Sequence, residues 1–172
     1  MKIVIIGAQG VGKTTLAKQI NEEYPDFKIL PEAARLAVEA GYKLDHTATR
    51  ETELWLIAKQ IELEGGEGNW VADRCSIDLF AYIQHLFSRD ASLIEFANKT
   101  LVPRFSEYDL VLYLPSGEFA IEDDGLRATD VKFQKAIDER IKGILEKYKI
   151  PFVRIVGTPP ERLAKVKSLL RA

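Results

Sequence analysis

The sequence contains a single cysteine and two histidines among its 172 residues. Cys75 alone can form no intrachain disulfide and cannot build a thiolate metal cluster. With no base visible beside it, it reads as a small buried residue. His46 and His85 show no metal-ligand spacing and read as surface or packing residues. No apolar run approaches the roughly 20 residues needed to cross a bilayer. The opening MKIVIIG is too short for a signal peptide and reads as a core strand, so a cytoplasmic protein is expected, with no membrane partner. Excess charge is also lacking. Lys plus Arg number 24 and Asp plus Glu 26, a net charge of -2, which counts against nucleic acid as a partner. No repeat, low-complexity tract or Pro- or Ser-rich linker divides the chain. One domain over residues 1–172 is expected, with a hydrophobic fraction of 47% to fill its core.

Short apolar runs alternate with longer amphipathic stretches, the pattern of an α/β fold with a parallel sheet. Strands are expected at 2–6, 27–30, 70–73, 110–114 and 152–156. Helices are expected at 13–22, 32–39, 48–64, 77–87, 92–104, 130–148 and 160–170. GGEGN at 65–69 reads as a turn between a helix and a strand.

The strongest signal is GAQGVGKTTL at 7–16, a full match to G-x-x-x-x-G-K-[ST] between a strand and a helix. Gly7, Gly10 and Gly12 let the backbone bend so that successive N–H groups, Val11 among them, point into one concavity. The helix N-terminus adds its dipole. Lys13 supplies a mobile positive charge for the β and γ phosphates, Thr14 offers a hydroxyl to Mg²⁺, and Thr15 falls near the α-phosphate. ATP and Mg²⁺ are the expected cofactors.

Other absences narrow the fate of the γ-phosphate. A signalling GTPase carries D-x-x-G and N-K-x-D; here NKTL at 98–101 ends in leucine. A ring-forming motor wants a strand ending in Asp-Glu and a lid domain; here WVADR ends in Asp-Arg. Transfer to a small acceptor remains, and three stretches suit it. In ILPEAAR, Glu32 could hold an acceptor hydroxyl and take its proton, or could merely favour a helix N-terminus. Arg35, one turn on, could bind a negative acceptor group. In VADRCSID, Asp73 could orient Mg²⁺ or act as base, and Arg74 could clamp acceptor or phosphate. Ser76 is the expected cap of the next helix, and Asp78 braces Arg74. In EDDGLRATD, Arg127 is placed to close over the triphosphate, within a lid segment at about 116–130. Asp123 and Asp124 are ambiguous, a solvated acidic loop being the plainer reading. The turn at Gly157 and Thr158 could meet adenine through backbone groups, although a helix opening also explains it.

Taken in order, GAQGVGKTTL, PEAAR, DRCSIDLFAY, YDLVLYLP, DDGLR and GTPPERL resemble a small AAA-labelled P-loop ATP-binding family. That family is related to the ribosylnicotinamide kinase domain of NadR and, more distantly, to deoxynucleoside and thymidylate kinases. The resemblance implies a three-layer α/β/α sandwich of the P-loop NTPase type, with a five-stranded parallel sheet in the order 2-3-1-4-5. It implies an ATP–Mg²⁺ site, Asp73–Arg74 as the counterpart of the Asp/Glu-Arg motif, Glu32 as the acid that meets the sugar hydroxyl, and Arg127 as the lid arginine. Cys75 stands where that motif often has serine. In related kinases the helix carrying ETELWLIAKQIELE lines the acceptor side, where Trp55 could stack on a base and Gln60 could bond its edge. General burial statistics favour a core Trp55 and a solvated Gln60.

The expected activity is phosphoryl transfer from ATP to a nucleoside or nucleotide, nicotinamide riboside included. Lys13, Asp73, Arg127 and Glu32 are the expected catalytic residues, and Thr14 and Asp73 the metal site. Glu32, Arg35, Arg74 and Gln60 are the expected acceptor residues. A homodimer is compatible with this reading. The rivals are a regulatory ATPase without a small acceptor and a polynucleotide 5′-hydroxyl kinase.

Overall fold

The computed structural model describes residues 1–117 and 130–171. Arg127, Asp123, Asp124 and most of the expected lid lie outside the described residues. The strands are β1 (Lys2–Ile6), β2 (Lys28–Leu30), β3 (Trp70–Asp73), β4 (Leu110–Tyr113) and β5 (Val153–Arg154). They form one sheet in the order β2-β3-β1-β4-β5, and every pairing is parallel. The helices are α1 (Lys13–Glu23), α2 (Ala33–Glu39), α3 (Arg50–Glu64), α4 (Ser76–Leu86), α5 (Ala91–Leu101), α6 (Val131–Lys147) and α7 (Pro159–Leu170). Parallel strands need crossovers, and the helices supply them on both faces, giving a three-layer α/β/α sandwich.

Alternation along β1 divides the core. Ile3 and Ile5 pack with Leu16 and Ile20 of α1 and Val166 of α7 on one face. Val4 and Ile6 pack with Ile57 of α3, Phe80 of α4 and Ile137 of α6 on the other. All four β1 side chains are fully buried, each contributing about 1.5–3 kcal/mol of hydrophobic stabilisation. A buried polar knot adds position. The Glu64 carboxylate, at the end of α3, accepts from the Ser76 hydroxyl at 2.8 Å and the Tyr108 hydroxyl at 2.9 Å. It also pairs with Arg104 at 3.0 Å. This ties α3 to the start of α4.

Several boundaries differ from expectation, each for a local reason. The last strand shrinks to Val153–Arg154, because it is an edge paired only with β4, and Phe152 and Val156 are exposed. α3 starts at Arg50, where Thr49 and Thr52 form a reciprocal capping box. α5 stops at Leu101, and a 3₁₀ turn from Val102 to Glu107 follows, since Pro103 cannot continue an α-helical ladder. α4 is capped by Cys75, not Ser76. The Cys75 Sγ accepts from the Ile77 N–H while Asp78 returns to the Cys75 N–H.

The strand order matters because β2, β3 and β1 are neighbours. Their carboxyl ends, and the turns that follow, meet along one rim, where ligands bind in open α/β sheets. The turn after β1 begins at Gly7, with φ 147°, and a Cβ there would sit 2.4 Å from the Leu114 carbonyl oxygen. Gly7→Ala must strain φ or push β4 aside, a cost of about 1–3 kcal/mol for the backbone alone. Thermal unfolding should show a midpoint lower by roughly 5–10 °C; an unchanged midpoint would contradict the close approach.

Candidate functional site

The loop from Gly7 to Thr14 wraps the N-terminus of α1. Gly12, with φ 89°, is the N-cap; it carries no side chain to cap the helix, and the first turn holds no acid. The orphan N–H groups of that turn therefore face the loop's concavity, an anion site by construction. Lys13 is 5% exposed, and its ammonium donates to the Ala8 carbonyl at 2.6 Å. Burial, then the nearby Arg74 guanidinium, lowers its pKa to about 8, against the opposing pull of Asp73, Asp78 and Glu32. The Thr14 hydroxyl donates to the Asp73 carboxylate. Thr15 is exposed beside it.

Three braces hold this loop. The Gly7 N–H donates to Asp78 at 3.0 Å, and the same carboxylate accepts from the Cys75 N–H at 3.0 Å. Asp78 thus clamps the loop to the β3–α4 turn, a larger role than bracing Arg74. Gln9 accepts from Gln134 of α6 through its carbonyl at 2.7 Å and from the Tyr82 hydroxyl through its side chain at 3.0 Å. Arg162 of α7, almost wholly buried, donates to the Val11 carbonyl at 2.6 Å and the Gly157 carbonyl at 2.8 Å. It couples the phosphate loop to the β5–α7 turn. At that turn the Thr158 N–H and hydroxyl both donate to Glu161, each at 2.7 Å. Sequence reasoning missed Gln9, Tyr82, Gln134 and Arg162. Only Arg162 left a usable trace, an arginine four residues before Val166 on the buried face of α7.

Across the rim lies a second group. Asp73 ends β3 and Arg74 follows it, with φ 81°, a left-handed conformation uncommon outside glycine. Its surroundings over-determine it. The Arg74 backbone N–H donates to Ile5 at 3.2 Å, its Nε donates to Glu32 at 2.8 Å, and its guanidinium lies 4.9 Å from the Tyr82 ring centroid. Burial disfavours its charge, but Tyr82, Glu32, Asp78 and Asp73 outweigh that and raise its pKa. Arg35 pairs with the other Glu32 oxygen at 3.2 Å and remains half-exposed. The Asp73 carboxyl is raised by burial, then lowered by Lys13 and raised again by Glu32.

Glu32 and Arg74 also line a cavity of ≈ 60 Å³ that opens to solvent, walled by Leu56 and Gln60 of α3 and Leu79 and Tyr82 of α4. Gln60 is buried, contrary to the solvated position that statistics favoured, and its amide donates to Glu64 at 2.9 Å. It sits on the inward stripe 53, 56, 57, 60, 64 of α3. Trp55 packs on Tyr42 at 5.3 Å instead of lining the cavity. Cys75 is buried, and its thiol is pushed well up by burial. Adjacent to the loop, the Thr14 hydroxyl and Asp73 carboxylate offer hard oxygen donors of the kind Mg²⁺ takes alongside water and phosphate. No cluster of three or more metal-ligating side chains occurs among the described residues, so such a cation would also need phosphate oxygens.

The geometry has relatives of the same fold. The chain superposes on a NadR protein solved in complex with NR, with a TM-score of 0.81 and 18% identity. The match covers 99% of this chain, which spans 50% of that one. A deoxyadenosine kinase from M. mycoides matches with a TM-score of 0.74 and 16% identity, over 99% of this chain and 98% of that one. A thymidylate kinase from Ehrlichia chaffeensis gives 0.65 and 18%, over 99% and 98%. At these identities the likeness is one of fold. No curated protein matches the sequence. A family model described as AAA domain does match, over residues 2–162. That span runs from the first strand through the phosphate loop to Arg162, and the chain belongs to this AAA domain family.

Proposed function

We propose that the protein transfers the γ-phosphoryl group of ATP to a hydroxyl or phosphate of a nucleoside-like acceptor. One observation carries the reading. The Thr14–Asp73 contact at the phosphate loop and the Glu32–Arg74 ion pair at the cavity lie on the ends of neighbouring strands. Donor and acceptor chemistry are thereby set side by side, the arrangement a phosphotransferase needs, since positioning and charge supply most of its rate. The similar folds of a NadR protein and of two kinases support the same reading.

Each residue has a part. The backbone N–H groups of residues 10–15 cradle the phosphates, and Lys13 neutralises the group in transit. Thr14 and Asp73 would hold Mg²⁺, which supplies charge neutralisation on the phosphate oxygens. Asp73 is bonded to Thr14 and does not line the cavity, whereas Glu32, though paired with Arg74 and Arg35, does, so Glu32 is assigned to orient the acceptor hydroxyl and receive its proton. Arg74 fixes Glu32 and shares the cavity wall, and Arg35 offers an exposed positive charge at its mouth. Arg127 is proposed to close over the phosphates from a lid, and Gly157 and Thr158 to border the adenine. A cytosolic setting suits an ATP-dependent protein whose single cysteine is buried, and among the described residues no helix is long and apolar enough to cross a membrane.

Labelled ATP offered with nucleosides, nucleoside monophosphates, nicotinamide riboside and a 5′-hydroxyl oligonucleotide tests this. Transfer to at least one small acceptor is expected. Slow ADP release unaffected by every acceptor would replace the reading with a regulatory ATPase, and transfer to the oligonucleotide alone with a polynucleotide kinase.

A further inference from the structure

We propose that Glu53 reads the ring end of the acceptor, pairing its carboxyl with an uncharged edge that offers a hydrogen-bond donor beside an acceptor. This rests on the kinase reading and specifies its substrate class. Glu53 lies in the first turns of α3 and lines the same cavity as Glu32 and Arg74. It is 2% exposed, and its Oε2 has no hydrogen-bond partner among the described residues. An unsatisfied buried polar atom costs about 1–3 kcal/mol, more if charged. A leucine or methionine would fill the same space without that cost. Elsewhere on the inward stripe the polar groups are bonded: Gln60 donates to Glu64, and Glu64 is saturated by Ser76, Tyr108 and Arg104. Glu53 is the member of that stripe left with an open valence among the described residues, and the residue lines the cavity.

The protonation state defines what fits. Burial first, and the Asp45 charge second, push the Glu53 carboxyl up to about 8. The other titratable groups on the cavity wall are Glu32 at the head of α2, and Arg74, Cys75, Asp78 and Tyr82 from β3 and α4. From α5, Asp90 faces the start of α3 but is taken by Arg50. At neutral pH Glu53 is therefore mostly a neutral acid, with one O–H donor and one carbonyl acceptor side by side. Its complement is a primary carboxamide, or an exocyclic amine beside a ring nitrogen. A ring bearing a carboxylate would bring a third acid against Glu53 and Asp45 and is rejected.

Calorimetric titration without ATP separates the contributions. The probes are adenosine, cytidine and nicotinamide riboside, as nucleosides and 5′-monophosphates. Each is paired with its analogue lacking the donor: purine riboside, pyrimidin-2-one riboside and nicotinic acid riboside. In the wild type the donor-bearing member of a bound pair should bind at least tenfold tighter, and its affinity should fall about tenfold between pH 7 and 9. Glu53→Gln keeps a donor beside an acceptor, so the preference should survive while the pH dependence disappears. Lys13 titrates in the same window but is intact in that variant. Glu53→Leu should bring the two members within threefold. Equal binding of both members by the wild type, a slope that persists in Glu53→Gln, or binding of none of the probes overturns the proposal. Transfer in the panel assay alongside any of these leaves the kinase reading standing; absence of transfer with the Glu53 pattern intact removes that reading instead.

Discussion

Lys13→Met is expected to lower turnover by about 1,000-fold or more while leaving the nucleotide-free protein no less stable. The first half follows from charge. A preorganised group aimed at developing charge in a water-poor site is worth roughly 100- to 1,000-fold even when it is a neutral donor; Lys13 carries a full charge. The second half follows from its burial. An ammonium with its pKa lowered to about 8 is held at a cost in the free protein. The sign is that of a depressed base: the unfolded chain binds more protons between about pH 8 and the ordinary lysine value, so this contribution improves as pH rises through that window. Methionine fills similar volume without a charge to desolvate. Thermal unfolding without nucleotide should therefore give an equal or higher midpoint for the variant. ATP is expected to raise the wild-type midpoint, and that increase should largely vanish in the variant. ATP affinity of the wild type should also weaken as pH rises beyond about 8, and that slope should be absent from Lys13→Met. A variant that lost turnover through unfolding, with a midpoint many degrees lower, would contradict this account.

The sequence made the phosphate loop legible because it rests on short-range rules, whereas the sheet order was implied only by the family resemblance. The loop is a contiguous motif between a strand and a helix, and its geometry follows from glycine positions and an uncapped helix N-terminus. β1 and β3 had the boundaries expected of them, since both are buried strands with continuous apolar character. The edge strand β5 was less legible, because half of its expected length faces solvent and nothing in the local pattern says where pairing stops. Pairings that join distant segments left still less trace. Arg162 reaches Val11 across 151 positions, and Gln134 reaches Gln9 across 125. Neither partner has a side chain or spacing that announces the contact, for both accept through backbone carbonyls. Glu53 is the intermediate case. Its spacing with Leu56, Ile57 and Gln60 is that of one helix face, a periodicity the sequence reading did not use. An acid on an apolar face would ordinarily pass as the boundary of that face, and only the cavity distinguishes it.

Asp73→Asn should cut turnover by about 100- to 1,000-fold while changing the ATP dissociation constant by less than about fivefold. Asparagine preserves the size of the side chain and an oxygen to accept from Thr14, so the local fold survives. What disappears is a negative charge that is buried beside Lys13 and bonded to the Thr14 hydroxyl. In the proposed reaction phosphate binding depends mainly on the N–H groups and Lys13, which remain, and losing a nearby anion removes some repulsion toward the triphosphate. The cation held by Thr14 and Asp73 in that reaction depends on the carboxylate charge, and a neutral amide supplies the oxygen without that charge. The pH profile gives an independent readout. Burial raises the Asp73 carboxyl above its ordinary range, so wild-type turnover should fall on the acid side as that group takes up a proton. The Asn variant, already uncharged, should lack this limb. Glu32→Gln offers the contrast: it breaks the pairing with Arg74 and Arg35, so its defect should appear in acceptor KM as well as turnover, with ATP binding intact. Near-normal turnover in Asp73→Asn, or an acid limb that survives it, would remove Asp73 from the chemistry. The phosphate loop and the cavity would then be neighbours without a shared reaction.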